Sequence, residues 1–472
     1  MRIVIIGGGL SSALLTINLL RQKQAAFIDI IVIERNPPEM LGQAYSTDRD
    51  FHLLNVPAQK MSAFSDQSED FTDWLAEAGY NFGSRSYVPR RIYRLYIKDT
   101  LKKELNKKGP SAKYTVMQDC AVDIVPSGRS AAAPGGAFFL VLASGRKIQF
   151  DRAILALGNF QPASLNLEDS RYLQHPSYFA SAGDYQQFQN RAPIGDVVII
   201  GTGLTMVDTV LCLQQQQYRG QITALSSHGL IPAAHQGSPP YEISDLDCRT
   251  VSTALDILRI VNRHLKEARR QGIGWQAVVD AVRPFTQELW LHLPASEKKK
   301  FMQHLRPIWN IARHRMPAEC AGIIHNLLSE KRLSIVAGRV RSIRVEAAGK
   351  FCMEYKDRMT EKSQCLTSTL IINCMGPESN YGKLKDLLIK NLLAKGLIRT
   401  DNMQLGIDCT PEGALIEKNG RQSSFLYTIG PPAKGVLWES TSVPEIRMAA
   451  LHLATLLAEK ARKVETPIGK LA

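Results

Sequence analysis

No Cys-x-x-Cys occurs in the 472 residues: the eight cysteines stand at 120, 212, 248, 320, 352, 365, 374 and 409, and the two nearest are nine apart. That spacing excludes the usual zinc ligand sets and the adjacent thiol pair of a disulfide reductase. Scattered thiols of this kind read as small buried hydrophobes in a reducing, cytoplasmic compartment, and no metal site is expected. Signatures of nucleic-acid binding are also missing, with no helix-turn-helix, zinc finger or aromatic-basic interleaving. The 58 Lys+Arg against 44 Asp+Glu, a net charge of +14, are spread through every region. Neither nucleic acid nor a membrane is therefore expected as a partner; phosphorylated cofactors and a small-molecule substrate, which could be anionic, account better for the surplus. With 44% hydrophobic and 22% charged residues the chain is not a disordered one, and its length argues for two or three domains.

Charge is absent from Ile3 to Leu20, a run near the lower limit for a membrane span. Gly7-Gly8-Gly9-Leu10-Ser11-Ser12 interrupts it, which a spanning helix would not favour. The better reading is a buried strand Ile3–Ile6, a tight turn and a buried helix, followed by a second strand Phe27–Ile33 that ends at Glu34. This is a β-α-β unit with Gly7-x-Gly9-x-x-Ser12 at its turn. Gly7 permits the turn, Gly9 lets a pyrophosphate approach the backbone, the helix N-terminus offers N–H donors, and Glu34 accepts from a ribose hydroxyl.

One Gly-x-Gly is weak evidence, but the chain carries a second. Ile3–Ser11 aligns with Val197–Thr205, so that Gly201-Thr202-Gly203-Leu204-Thr205 repeats the turn. Met206 takes the third-glycine place. The next strand ends in Ser226-Ser227-His228 with no acid, which suits NADP better than NAD, although no Arg sits in that tip. Two such units imply FAD in the first and a nicotinamide nucleotide in the second. Return strands should then close the FAD unit, and they are present at 137–142, 147–150, 152–156 and 425–430, with 370–376 ending the second unit. Ser442-Val443-Pro444-Glu445 is a capping box opening a last helix.

The expected fold class is α/β, with two Rossmann-like dinucleotide-binding domains. The FAD domain is discontinuous, 1–165 and 376–472, and the NAD(P) domain spans 190–375. Within the latter, 245–332 reads as a helical insertion, carried by Ala254–Ala268, Trp275–Val282 and Glu297–Arg313. Trp275, Trp290 and Trp309 read as core, and Lys298-Lys299-Lys300 as solvated surface.

Several stretches resemble the FAD/NAD(P)-binding proteins related to class B flavin monooxygenases and N-hydroxylating monooxygenases. They include Gly7-Gly8-Gly9, Gly42-Gln43-Ala44-Tyr45, His52–Ala58, Phe71–Leu75, Val88–Tyr93 and Ala156–Phe160. Gly201–Asp208, Trp309–Arg315 and Gly430 to Thr441 continue the likeness. The resemblance covers nearly the whole chain and implies FAD, with NADP as reductant and NAD as the alternative. It further implies oxygenation of a nitrogen or sulfur of a small substrate through a C4a-peroxyflavin. A flavin reductase and a non-catalytic nucleotide sensor or scaffold are the competing readings. Substrate identity and oligomeric state stay open.

Cofactor contacts are expected from Gly7, Gly9, Leu10, Ser11, Glu34, Gln43, Asn55, Met61, Arg91, Gly158, Gly430 and Ser442 around FAD. Gly201, Gly203, Leu204, Thr205, Ser226, Ser227, His228 and Gly376 are expected around the nicotinamide nucleotide. Asn55, beside the flavin ring, and Arg313 and Arg315, at a helix end in the insertion, are the candidate catalytic residues.

Overall fold

The structure, a computed structural model, describes residues 1–22, 27–37, 41–127, 138–183, 194–346 and 349–465. The chain forms two compact units, Met1–Asn159 with Ser379–Ala472, and Phe160–Glu378. Ala137, the first residue of the strand expected over 137–142, lies outside the described residues.

In the first unit the uncharged N-terminal run breaks at its glycines. β1 (Arg2–Ile6) passes through Gly7–Gly9 into α1 (Leu10–Arg21), and β2 (Ile28–Glu34) returns parallel to β1 with Ile3 beside Ile30 and Ile6 beside Ile33. Ile3, Val4 and Ile5 are fully buried, as a strand covered on both faces requires. α1 is buried from Leu10 to Leu20, which explains why its sequence is apolar all round instead of striped. No helix among the described residues is long and apolar enough to cross a membrane. α2 (Asp70–Glu77) and α3 (Arg90–Lys108) lead to β3 (Ala112–Gln118), which pairs with β2. β4 (Ala121–Pro126), β5 (Phe138–Leu142) and β6 (Lys147–Phe150) form a separate antiparallel sheet, and β7 (Arg152–Leu155) pairs parallel with the other edge of β1.

The second unit repeats the opening motif. β8 (Tyr178–Phe179) precedes β9 (Val197–Ile200), a glycine turn, α4 (Leu204–Gln215) and β10 (Ile222–Ser226). The helical insertion holds α5 (Ala254–Arg270), α6 (Trp275–Val282), α7 (Thr286–His292), α8 (Ala295–Lys300), α9 (Arg306–Arg313) and α10 (Ala318–Ser329). Thr253 caps α5 by accepting from the Asp256 amide. β11 (Leu333–Val345) then runs parallel to β10, and β12 (Phe351–Asp357), β13 (Ser363–Ser368) and β14 (Leu370–Asn373) complete the sheet in the order β13-β12-β11-β10-β9-β14-β8.

Two expectations change here. Cys352 and Cys365, which read as isolated buried thiols, come together as a disulfide pair across antiparallel β12 and β13, with Cα atoms 6.3 Å apart. Strand pairing, invisible to cysteine spacing, makes them neighbours. Trp290 is buried, but Trp275 is 38% exposed and lies under the Arg315 guanidinium instead of in the core.

After residue 378 the chain re-enters the first unit with α11 (Leu387–Ala394), β15 (Ala414–Ile416), β16 (Gln422–Thr428) and α12 (Val443–Glu465). β16 pairs parallel with β7, giving the sheet order β15-β16-β7-β1-β2-β3, and α1 packs against both α3 and α12.

Candidate dinucleotide sites

Each unit places a glycine turn at the C-terminal edge of its parallel sheet, between a β-strand and the helix that follows it. At the first, Gly7 has φ +105°, and a Cβ there would lie 2.3 Å from the Ala156 carbonyl oxygen. Only glycine fits, on both backbone and steric grounds. Gly9 precedes α1, whose first turn carries no acid and whose N-cap makes no side-chain hydrogen bond. The leading N–H groups thus remain directed at the turn, the arrangement that favours an anion.

Glu34 is drawn onto this turn. Its Oε2 accepts from the Gly8 amide at 2.6 Å and its Oε1 from the Asn36 amide at 2.8 Å. A Cβ on Gly8 would sit 2.9 Å from the Glu34 Cβ, so the middle glycine, which the fingerprint treats as variable, is what admits the acid. Gly42, part of the resembling stretch but not among the expected contacts, closes on the same turn: at φ +79°, a Cβ on it would lie 3.3 Å from the Gly9 Cα. It brings the segment bearing Gln43 over the turn. At the far strand, Gly430 (φ +81°) follows β16 so close to α1 that a Cβ would meet the Ser11 hydroxyl at 2.5 Å.

The remaining expected FAD contacts vary in placement. Met61 is buried, and Asn55 is half-buried in a loop tied down by Arg90, whose amide donates to the His52 carbonyl and whose Nε donates to the Leu53 carbonyl. Arg91 faces an acid: its Nε donates to Asp50 at 2.5 Å, which also raises its own pKa. Gly158 sits at φ +66° with nothing within 4 Å of the place a Cβ would take, so backbone conformation alone demands it. The Ser442 hydroxyl donates to the Glu445 carboxylate at the start of α12, a side-chain pairing of the two residues expected as a capping box.

The second turn mirrors the first. Gly201 has φ +108°, and a Cβ would lie 2.5 Å from the Cys374 carbonyl oxygen. Gly203 precedes α4, again with no acid in the first turn and no side-chain cap; Leu204 and Thr205 open the helix. Met206 is fully buried, and the Cys374 thiol is pushed up to about 12 by burial, which makes it a poor nucleophile. Gly376 follows β14, and its carbonyl accepts from the Ala163 amide.

At the tip of β10 the Ser226 hydroxyl accepts from Thr202 at 2.9 Å and from the Gly229 amide at 3.0 Å, so it shapes the turn. Ser227 Oγ lies 3.1 Å from His228 Nδ1. Burial, then Arg358 and Arg339, lower the His228 pKa and leave the imidazole neutral at pH 7. Those two arginines, far away in sequence, leave no signal near the tip.

The insertion gives a different result from the expected catalytic pair. Arg315 is 2% exposed; its Nη1 donates to Asp280 Oδ2 at 3.0 Å, its Nη2 to the Gln276 carbonyl at 3.1 Å and its Nε to the Ala312 carbonyl at 2.7 Å. This guanidinium braces α6 against the end of α9, so Arg315 is a positioning residue of the fold. Arg313 is also buried. Of the lysines, Lys300 pairs with Glu297 at 2.6 Å and Lys298 lies over Trp290. No cluster among the described residues could hold a metal ion.

Both turns fit the diphosphate half of a dinucleotide: each has a glycine cradle that a methyl group would obstruct, facing an uncapped helix start. Residues 4–160 match a family model described as FAD-NAD(P)-binding. No curated protein sequence matches the chain. Among solved structures, reduced ornithine hydroxylase from Pseudomonas aeruginosa superposes with TM-score 0.65 at 13% identity, covering 98% of this chain and 99% of that one. The Kutzneria sp. 744 ornithine N-hydroxylase, solved with reduced FAD, NADP+ and L-ornithine, gives 0.63 at 13% identity over 98% and 99%. L-lysine 6-monooxygenase from Pseudomonas syringae gives 0.62 at 13%, over 97% and 99%. At such identity the likeness is one of fold: the chain has the two-unit α/β fold of these enzymes.

Proposed function

We propose that the protein is an FAD-dependent, NAD(P)H-using monooxygenase that oxygenates a nucleophilic nitrogen or sulfur of a small substrate. The observation carrying this reading is the pair of glycine cradles, one with an acid bound onto its turn and one without, on a fold shared end to end with N-hydroxylating enzymes. FAD, when bound and reduced by the nicotinamide nucleotide, supplies activated oxygen, one atom passing to the substrate and the other leaving as water.

The chain's own residues do the rest. Gly7, Gly9 and the first turn of α1 hold the pyrophosphate, with Leu10 and Ser11 opening that turn. Glu34, fixed by the Gly8 and Asn36 amides, accepts from the adenosine ribose. Gly430 lets its strand end against Ser11, and the Asn55–Met61 loop, pinned by Arg90, supplies the wall on which Asn55 can hydrogen-bond to the bound ring. Gly201, Gly203 and the start of α4 take the second pyrophosphate.

Purified protein should be yellow, bleached by NADPH and recoloured by air, with NADPH oxidation in the presence of an amine or thiol substrate coupled to hydroxylated product. Colourless protein that cannot be reconstituted with FAD would refute the reading. Oxygen recovered entirely as peroxide across an amine, thiol and amino-acid panel would replace it with a reductase.

A further inference from the structure

β10 and β11 run parallel with Ser226 beside Ala337, so β11 continues past the tip at which the second unit would receive its adenosine ribose. Two residues on, and on the same side of the strand as Ala337, stands Arg339. Gly229, in the turn after the tip, packs directly on Ala337: a Cβ there would lie 2.9 Å from the Ala337 Cβ. The turn after β12 adds a second cation. Arg358 donates its amide to the Ala337 carbonyl at 2.9 Å, and its Nη1 reaches the Ser227 carbonyl at 3.4 Å. Both arginines are exposed; of the nearby carboxylates, Asp357 accepts from the Met359 and Thr360 amides, and Glu361 is paired with Lys356 and lies within electrostatic range of both arginines.

We propose that Arg339 and Arg358 form a clamp for the 2′-phosphate of NADP, lying against the Ser227-His228 tip and making this unit selective for NADP over NAD. The proposal rests on the reading of the second unit as a nicotinamide-nucleotide domain and goes beyond it by assigning the phosphate to two residues outside the tip. A phosphate monoester at the ribose 2′ position is a dianion near neutral pH, and two guanidinium groups from separate segments can each offer it a pair of N–H donors. The contrast with the first unit supports the assignment. There Glu34 occupies the equivalent strand end, where it would repel a 2′-phosphate; here no acid stands in the tip. The depressed pKa of His228 is consistent, since it reports both arginines within electrostatic range of the imidazole.

The test is calorimetric binding of adenosine 2′,5′-bisphosphate and of 5′-AMP to the full chain, which needs neither turnover nor nicotinamide. Wild type should bind the bisphosphate at least about tenfold more tightly, the worth of one or two charge-assisted contacts. Arg339→Gln and Arg358→Gln should each lower bisphosphate affinity severalfold and leave 5′-AMP within about twofold, and the double variant should bring the ratio near one. Arg341→Gln, on the same strand, should keep the preference, which separates a clamp from bulk charge. An undiminished ratio in the double variant, an equal loss in Arg341→Gln, or wild type without preference overturns the clamp while leaving the cofactor reading intact. Failure of both nucleotides to bind overturns the nicotinamide-nucleotide reading and the clamp together.

Discussion

The Gly8 amide donates to the Glu34 carboxylate at 2.6 Å, so the acid at the end of β2 is locked onto the glycine turn between β1 and α1 before any ligand arrives. With Asn36 holding the other oxygen at 2.8 Å, the carboxylate is oriented by two amides and needs little reordering to receive a ribose. Glu34→Gln replaces one acceptor by an NH2 facing an N–H donor. Its FAD dissociation constant, measured by flavin fluorescence, should rise about tenfold or more, in line with roughly 1–3 kcal/mol for a frustrated, charge-assisted bond. An unchanged constant would show that Glu34 does not contact the cofactor.

Gly7→Ala and Gly201→Ala test the two cradles separately. Each puts a Cβ within 2.3 Å and 2.5 Å, respectively, of a backbone oxygen at positive φ. Because relief requires backbone movement, Gly7→Ala should purify without FAD. Gly201→Ala should retain FAD, seen as the flavin absorbance, and lose reduction by NADPH.

Arg315 separates structural from catalytic roles. Removal of a 2%-exposed guanidinium with three fold-internal acceptors should destabilise by about 2 kcal/mol, discounted because Asp280 is half-exposed. In a thermal scan Arg315→Ala should melt roughly 5 °C lower. A large fall in kcat at unchanged Tm would return Arg315 to a catalytic role.

The His228 imidazole provides a pH signature. Burial disfavours its charged form and Arg358 and Arg339 repel it, so it should titrate below its ordinary value near 6.5 in the free protein. Arg358→Gln removes one repulsion and should move the titration upward, and bound adenosine 2′,5′-bisphosphate, a negative neighbour, should move it further up. Histidine NMR signals followed against pH measure both shifts. The sign follows for folding: any stability tied to neutral His228 is present above the unfolded pKa and declines as pH falls through it toward the lower folded value.

How far the sequence can be read depends on whether an interaction is local. The strand, turn and helix of residues 3–20 are legible because uninterrupted Ile and Leu mark burial and glycine marks a turn, and the same signals recur at 197–215. The pairing of Ser442 with Glu445 at the start of the last helix is legible for the same reason: the two are one helical turn apart. By contrast, the roles of Arg91 and Arg315 are not legible, since an arginine's partner, Asp50 or Asp280, lies 35 or more residues away and leaves no trace in the local pattern.

The sequence by itself determined that this chain holds two β-α-β units with glycine turns, an acid at one strand end and none at the other, and a helical insertion between β10 and β11. Those features depend on dihedral freedom, hydrophobic period and short-range capping, all of which act over a few residues. Only the tertiary structure decided what stands beside each turn: Gly42 over Gly9, Gly430 against Ser11, Cys352 next to Cys365, and Arg339 and Arg358 at the Ser227-His228 tip. Strand order and register bring these together, and they are set by the burial of whole sheets, a sum over contacts between segments that no local stretch of sequence contains.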